Sequence, residues 1–281
     1  MGVYVSTGGV RDRTCTTVAE ELFSQGFESI ELSGGLYDPE LEKSIVALKE
    51  RGADITLHNY IPLQETPYVL NLASDDDQIF AQTDAHIRRA IDLSAMVGSP
   101  WYAFHAGFLI DPQPNELGKR ISRRDLQSRS VSMGVFKARV SNLAEYAASK
   151  NVNLLVENNV LSMGTRREFD GNPLLLCETD EITEFFESLE GAVTLLLDVA
   201  HLKVSANALG FDQDLAFDLL EPYVGGLHLS DNDGRADQNL PFEPDAWFFN
   251  KNIKRDYKVI EVYDYDEQLL RKQIDYVEKL L

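Results

Sequence analysis

The chain has 281 residues, of which 44% are hydrophobic and 26% are charged, and its formal net charge at pH 7 is −20. This composition is typical of a globular protein with enough residues to bury a sizeable core. The negative charge argues against duplex nucleic acid and anionic membranes as partners, because both attract positively charged surfaces.

Targeting and membrane-spanning segments are not evident in the sequence. The first residues lack the basic and apolar regions of a secretory signal, and no apolar run approaches the roughly 20 residues that cross a bilayer. The two cysteines, Cys15 and Cys177, do not have the spacing of a metal site. We therefore expect a reduced, cytoplasmic protein without a membrane partner.

In the first part of the chain, short apolar runs alternate with longer segments of helical character. Thr14 is a suitable N-cap, Pro39 suits a first helical turn, and the acidic residues 75–77 complement a helix dipole. The predicted order is strand 3–6, helix 14–25, strand 29–32, helix 38–51, strand 55–57, helix 74–97 and strand 101–104.

The same alternation continues to the end of the chain. Two long polar loops interrupt it, at 109–121 and 231–244, and loops of this length inside a domain are usually functional or mobile. The predicted order is helix 122–150, strand 153–159, helix 178–189, strand 193–197, helix 212–220, strand 225–227, strand 258–260 and helix 266–281.

Eight strands that alternate with helices predict a parallel sheet with right-handed crossovers. Eight such units in a chain of this length match a (β/α)8 barrel, which we expect to form a single domain over residues 1–281. The competing architecture is an open doubly wound sheet, which typically has a glycine-rich phosphate-binding loop after the first strand. Ser6-Thr7-Gly8-Gly9 lacks the spacing of such a loop.

Ionisable residues lie at the carboxyl ends of most of the predicted strands. The carboxyl ends of all strands in a (β/α)8 barrel meet on one face, so these side chains should converge. Imidazole and carboxylate groups together suit a divalent cation such as Mn²⁺, Mg²⁺, Co²⁺ or Zn²⁺, and the lack of thiolates argues against a structural zinc site. The strand-end residues are His58, His105, Glu157, Asp198, His228 and Glu261, and His201 follows shortly after Asp198.

Taken together, these short motifs resemble the xylose-isomerase-like barrel superfamily, which includes sugar isomerases and epimerases and also endonuclease IV. The resemblance extends over essentially the whole chain. The motifs that carry it are Leu57-His58-Asn59-Tyr60 with Asn71-Leu72, Phe104-His105-Ala106-Gly107, Val156-Glu157-Asn158-Asn159, Leu197-Asp198-Val199-Ala200-His201, Leu227-His228-Leu229-Ser230-Asp231 and Ile260-Glu261-Val262.

The resemblance implies roles for individual residues. In the epimerases and isomerases, the ligands of the catalytic metal fall on Glu157, Asp198, His228 and Glu261, and Glu157 and Glu261 also form the acid–base pair. In endonuclease IV, further metal ligands fall on His58, His105 and His201, and on a later Asp-x-His motif. That motif is Asp237-Gln238-Asn239 in this chain, so the chain lacks the histidine that completes a three-metal site in that enzyme.

Substrate-binding residues are expected in the loops around the same face. The candidates are His201, Asn159, Arg235, Lys119 and Trp247. The cluster Lys119, Arg120, Arg123 and Arg124 would bind a phosphate or carboxylate, or would form a solvated basic patch. Trp247 would stack on a sugar ring or would pack under the rim of the barrel.

The favoured function is a divalent-metal-dependent isomerase or epimerase of a sugar, a sugar phosphate or a related polyol acid. The alternative is a metal-dependent hydrolase or phosphodiesterase of the endonuclease IV type. His58 and His105 favour the alternative, whereas the net charge of −20 and Asn239 argue against it. The expected partner is a small sugar or sugar phosphate. The sequence leaves open the sugar, the metal, proton transfer versus hydride shift, and whether the chain forms a homo-oligomer.

Overall fold

The computed structural model describes residues 2–116, 121–251 and 253–281. Its eight strands form a closed barrel in which each strand pairs in parallel with the next, and β8 pairs with β1. The strands are β1 (Tyr4–Ser6), β2 (Ser29–Leu32), β3 (Asp54–His58), β4 (Trp101–His105), β5 (Asn153–Glu157), β6 (Thr194–Asp198), β7 (Val224–Leu229) and β8 (Tyr257–Ile260). The predicted (β/α)8 fold is confirmed.

Helices surround the barrel and connect successive strands up to β7, whereas the described part of the connection from β7 to β8 contains a short 3-10 helix, Trp247–Asn250. Several begin with an aspartate whose side chain accepts hydrogen bonds from backbone N–H groups of the first turn, as Asp76, Asp212 and Asp266 do. The helices are α1 (Cys15–Ser24), α2 (Leu41–Glu50), α3 (Asp77–Val97), α4 (Arg129–Ser149), α5 (Met163–Phe169), α6 (Thr179–Ser188), α7 (Val199–Leu209), α8 (Gln213–Leu220) and α9 (Glu267–Leu280). Within the described ranges, no helix combines the length and apolar character needed to cross a membrane.

Side chains alternate between the two faces of each strand, and this alternation separates the core from the site. On β5, Leu154 and Val156 point outward into the core beneath the helices, whereas Leu155 points into the barrel. The inward residue after Leu155 is Glu157. β4, β6 and β8 repeat this order, with an apolar inward residue below a polar one.

The apolar layer inside the barrel closes its amino-terminal half. Trp101 stacks on Tyr257 with ring centroids 4.9 Å apart, and the layer consists of Tyr4, Ala103, Leu155, Leu196, Tyr257 and Val259. Gly226 on β7 leaves room for the Tyr257 ring, since a Cβ at this position would lie 2.6 Å from Cδ1 of Tyr257. The polar residues above this layer are therefore cut off from solvent below and open only towards the carboxyl ends of the strands.

Three helices of the structure depart from the sequence prediction. The helix predicted over 122–150 begins only at Arg129, and residues 121–128 are non-helical. The helices α5 and α7 were not predicted. α7 begins directly after β6, and the last residue of that strand, Asp198, is also the N-cap of the helix. With no loop between strand and helix, the sequence has no turn residues to mark the start of α7.

Candidate metal centre at the barrel mouth

Glu157 lies at the centre of the polar residues inside the barrel and is fully buried. Its Oε2 atom is 2.7 Å from Nε2 of His58 and 3.3 Å from Nδ1 of His105. Its Oε1 atom is 3.4 Å from Nδ1 of His228, and the same nitrogen is 3.2 Å from Oε2 of Glu261. Residues from four different strands, and the residue after β8, thus meet around one carboxylate.

Four of these residues have the arrangement of a metal site. Glu157, Asp198, His228 and Glu261 each offer a ligand atom, and these atoms all lie within 4.8 Å of one another. Among these four residues, three buried atoms have no hydrogen-bond partner within the described part of the chain: Oε1 of Glu157, Oδ2 of Asp198 and Nδ1 of His228. Buried polar atoms are nearly always satisfied in folded proteins. Unsatisfied oxygen and nitrogen atoms that converge on one point fit a divalent cation, and the donor set of imidazole and carboxylates suits Mn²⁺, Mg²⁺, Co²⁺ or Zn²⁺.

The pKa values of the carboxylates in the cluster are shifted by burial and by their close contacts with one another and with histidines. Burial alone would raise the pKa of Glu157, but His105, His58 and His228 outweigh burial and hold that pKa well below its usual range. Burial raises the pKa of Asp198 far above its usual range; His201 opposes this rise, whereas Glu261 and Glu157 add to it. Repulsion among these carboxylates is what a bound divalent cation would relieve.

Glu31 is a member of the cluster that the sequence analysis missed. It lies on β2, is fully buried, and its Oε2 atom accepts hydrogen bonds from Nε2 of His228 at 3.0 Å and from the Tyr257 hydroxyl at 2.6 Å. Because Nε2 faces Glu31, His228 presents Nδ1 to the cluster. The alternation of β2 could have revealed Glu31, because its neighbours Ile30 and Leu32 are apolar and point outward.

His58 and His105 form a second group of ligand atoms with Glu157, again within 4.8 Å of one another. His58 also approaches Oγ of Ser33 through Nδ1, at 3.4 Å. Burial lowers the pKa of His105 to about 4, against the opposing effect of Glu157. At neutral pH, His105 is therefore a neutral imidazole and an available ligand or hydrogen-bonding group.

His201 borders the metal cluster from the first turn of α7. Its backbone N–H donates to Oδ1 of Asp198 at 2.7 Å, and its Nδ1 lies 2.9 Å from the carbonyl oxygen of Asn158. Its Nε2 lies 3.6 Å from Oδ2 of Asp198 and 3.4 Å from Oδ2 of Asp237. The structure thus places His201 and Asp237 beside the proposed ligands.

Two other residues predicted to bind substrate, Asn159 and Trp247, contact neighbouring parts of the protein. The amide nitrogen of Asn159 donates to the carbonyl oxygens of Ala106, Gly107 and Leu175, so this side chain joins neighbouring loops. Trp247 packs edge-on against Phe217 of α8, with ring centroids 5.8 Å apart.

Arg235 is exposed on the loop after β7. Two residues of the predicted cationic cluster, Lys119 and Arg120, lie outside the described residues. Arg124 is paired with Glu116 through two hydrogen bonds, which leaves it less available to a substrate anion.

Tyr263, which the sequence analysis also missed, reaches Glu261 from the loop after β8. Its hydroxyl donates to Oε1 of Glu261 at 3.0 Å, and the residue is 40% exposed. Burial of the hydroxyl and the carboxylates of Glu261 and Asp237 raise the pKa of Tyr263 well above its usual range, so the phenol keeps its proton and acts as the donor.

Comparison with known proteins is consistent with this architecture. The family model of the xylose isomerase-like TIM barrel matches residues 19–279. The chain belongs to this family. The resemblance stated from the sequence motifs is therefore confirmed. No curated protein matches the sequence significantly.

Solved structures of the family superpose over nearly the whole chain. A D-tagatose 3-epimerase-like protein has a TM-score of 0.73 at 17% sequence identity, covering 100% of this chain and 98% of that chain. D-psicose 3-epimerase from Clostridium cellulolyticum H10, solved with D-tagatose, has a TM-score of 0.66 at 15% identity, covering 99% and 98%. The apo form of 3-keto-D-glucoside 4-epimerase, YcjR, from E. coli has a TM-score of 0.65 at 14% identity, covering 100% and 98%. At these identities the likeness shows a shared fold.

Proposed function

We propose that this protein is a divalent-metal-dependent epimerase or isomerase of a sugar, a sugar phosphate or a related polyol acid. The observation that carries the proposal is the convergence of Glu157, Asp198, His228 and Glu261 within 4.8 Å at the mouth of the barrel. Structural neighbours that are named as sugar epimerases support the same class of reaction.

The proposed metal ligands are these four residues. A bound cation would polarise the substrate carbonyl as a Lewis acid and orient the adjacent hydroxyl group. The chain supplies the rest of the site: the apolar layer below the ligands excludes water from that side, and Glu31 holds His228 with Nδ1 towards the ligand cluster.

Glu157 and Glu261 would form the acid–base pair. One carboxylate removes the proton from the carbon next to the carbonyl, and the electron pair of the C–H bond moves onto the carbonyl oxygen. The other carboxyl group, in its protonated form, returns a proton to the same carbon from the opposite face, which inverts that centre. His58 orients Glu157 through the 2.7 Å hydrogen bond to its Oε2. His201 and the exposed Arg235 remain our proposed substrate-binding residues.

The test is a panel of ketoses, aldoses and their phosphates, incubated with the protein and Mn²⁺ in D₂O and followed by NMR. Proton transfer predicts interconversion of a sugar pair with deuterium incorporated at the reacting carbon. Interconversion without deuterium would indicate a hydride shift. A protein that stays metal-free in the presence of ample Mn²⁺ or Zn²⁺ would contradict the proposal at its first step.

A second candidate function is a phosphodiesterase of the endonuclease IV type. The observation that favours it is the second group of ligand atoms, on His58, His105 and Glu157, which would suit a further metal ion. Asn239 in place of a histidine and the net charge of −20 weigh against it. Cleavage of a duplex that contains an abasic site, at physiological salt, would reverse the ranking.

A further inference from the structure

The two oxygens of the Glu261 carboxylate contact different neighbours. Its Oε2 atom lies 3.2 Å from Nδ1 of His228 and belongs to the ligand cluster. Its Oε1 atom instead accepts a hydrogen bond from the hydroxyl of Tyr263 at 3.0 Å. The phenol therefore fixes the rotation of the carboxyl group and determines which of the two oxygens faces the cluster.

The ring of Tyr263 lies across a pair of glycines in the loop after β1. A Cβ on Gly8 would lie 2.5 Å from Cε1 of Tyr263, and a Cβ on Gly9 would lie 2.5 Å from its Cγ. No side chain larger than hydrogen fits at either position while the ring stays in place. Gly9 also has a φ of +77°, a conformation that glycine adopts readily. These glycines belong to the segment Ser6-Thr7-Gly8-Gly9, which lacks the spacing of a phosphate-binding loop.

The backbone of Tyr263 is fixed as well. Its N–H donates to the carbonyl oxygen of Asn239 at 3.2 Å, which joins the loop after β8 to the loop after β7. The ring is thus held by three loops at the carboxyl ends of β1, β7 and β8. Tyr263 as a whole is nevertheless 40% exposed, and its hydroxyl lies on Glu261, so the residue lies at the rim of the opening above the cluster.

We propose that Tyr263 is a positioning residue for Glu261 and that its exposed ring forms an aromatic wall of the substrate site. This inference rests on the proposed function, because Glu261 must act on a substrate for its orientation to matter. The hydroxyl holds Oε1, so that Oε2 alone faces the cluster. The ring supplies the aromatic contact to the sugar that the sequence suggested for Trp247, which packs against α8 instead.

The test compares Tyr263→Phe and Tyr263→Ala with a matched control, Tyr265→Phe. Tyr265 lies two residues further on, and its hydroxyl donates to the carbonyl oxygen of Gly8, so the control removes a phenol from the same loops without touching Glu261. Tyr263→Phe should lower kcat by about 10- to 100-fold and change KM by less than about 2-fold. Tyr263→Ala should in addition raise KM by up to about 10-fold relative to Tyr263→Phe, through loss of the ring.

A second variant addresses the same role without changing Tyr263. Gly8→Ala should displace the ring and reproduce the fall in kcat, with folding verified by circular dichroism and thermal melting. In a metal-binding titration without substrate, against a chromogenic chelator, Tyr263→Phe should weaken Mn²⁺ binding by about 10-fold. The control Tyr265→Phe should match wild type in kcat and in Mn²⁺ affinity.

The inference would be overturned if Tyr263→Phe matched wild type in both kcat and Mn²⁺ affinity. It would also be overturned if Tyr263→Phe and Tyr265→Phe lost activity equally, because a purely structural role of the loops would then suffice. These outcomes leave a wild-type protein that binds Mn²⁺ and interconverts sugars, so the proposed function would stand. If wild type shows neither property, the proposed function fails and the inference fails with it.

Discussion

The pairing of Glu31 with His228 shows how one buried carboxylate determines what a neighbouring ligand can do. Imidazole has two nitrogens, and only the one without a proton can bind a metal. Because Nε2 of His228 donates to Glu31, Nδ1 is left facing Glu157 and Glu261. The hydroxyl of Tyr257 in turn holds the carboxylate of Glu31.

We predict that Glu31→Gln weakens metal binding by about 10- to 100-fold, because the amide carries no charge to orient and polarise His228. The measurement is the dissociation constant for Mn²⁺ or Zn²⁺ by competition with a chelator. Tyr257→Phe, which keeps the carboxylate and removes one of its hydrogen bonds, should have a smaller effect. An unchanged dissociation constant in Glu31→Gln would show that His228 is oriented by other contacts.

The junction between β6 and α7 joins metal binding to helix capping in one residue. Oδ1 of Asp198 accepts the hydrogen bond from the backbone of His201, while Oδ2 has no hydrogen-bond partner among the described residues. One oxygen therefore begins the helix and the other is available to a cation. An asparagine would preserve the first role, because it is as good an N-cap as aspartate.

Asp198→Asn should therefore lose metal binding but remain as stable as the metal-free wild type. Asp198→Ala should lose metal binding and also be less stable than the metal-free wild type. The alanine variant should be less stable by about 1 kcal/mol, the usual contribution of a cap. Metal content by elemental analysis and unfolding in denaturant measure the two effects. Equal stability of the two variants would mean that α7 does not depend on its cap.

His86 on α3 couples this helix to the loop after β3. Its Nε2 lies 3.1 Å from the carbonyl oxygen of Asn59, and its Nδ1 lies 3.4 Å from Nε2 of Gln64, which suits a neutral ring with the proton on Nε2. Burial lowers the pKa of His86 to about 4. The ordinary pKa in the unfolded chain is about 6.5, so the unfolded state binds more protons between these values.

The free energy of unfolding should therefore fall as the pH decreases from about 6.5 towards 4. From pH 7 to pH 5, His86 should account for roughly 2 kcal/mol of this loss. Denaturant unfolding of wild type and His86→Gln at both pH values measures it, because the difference between the two proteins should shrink by that amount at pH 5. Between pH 8 and pH 7 the difference should stay constant, and a constant difference down to pH 5 would contradict the assignment.

For the whole molecule, the proposed ligands link strands that are far apart in the sequence. Glu157 and Glu261 are separated by about a third of the chain, yet each offers an oxygen to the same cluster. A cation bound there would hold β5, β6, β7 and the end of β8 together. Because it would bind the folded state only, it should also stabilise the protein.

Saturating metal should therefore raise the melting temperature of wild type. At a free concentration 100 times the dissociation constant, the gain should be about 2.7 kcal/mol. Calorimetry with Mn²⁺ or Zn²⁺, and again after removal by EDTA, measures this effect. Asp198→Asn is the control and should not respond, and a response equal to that of wild type would place the metal elsewhere.

The sequence by itself determined the eight strands, the closed (β/α)8 class and the ionisable residues at the strand ends. These features are local, since apolar runs, helix caps and strand ends are visible within a few residues. Glu31 was equally accessible from the alternation of β2, but no ionisable residue at the end of this strand drew attention to it. The start of α4 and the existence of α7 were less accessible, because no turn residues mark those boundaries.

Only the tertiary structure decided which atoms meet. Barrel closure and strand register place Glu31 against His228, and loop packing places Tyr263 over Gly8 and Gly9 with its hydroxyl on Glu261. The same packing places the amide nitrogen of Asn159 next to backbone carbonyl oxygens. Such distances join residues from different strands and loops, so they depend on how the whole chain closes rather than on any local pattern. For this reason the sequence could predict which residue types belong to the site, but not how each is oriented within it.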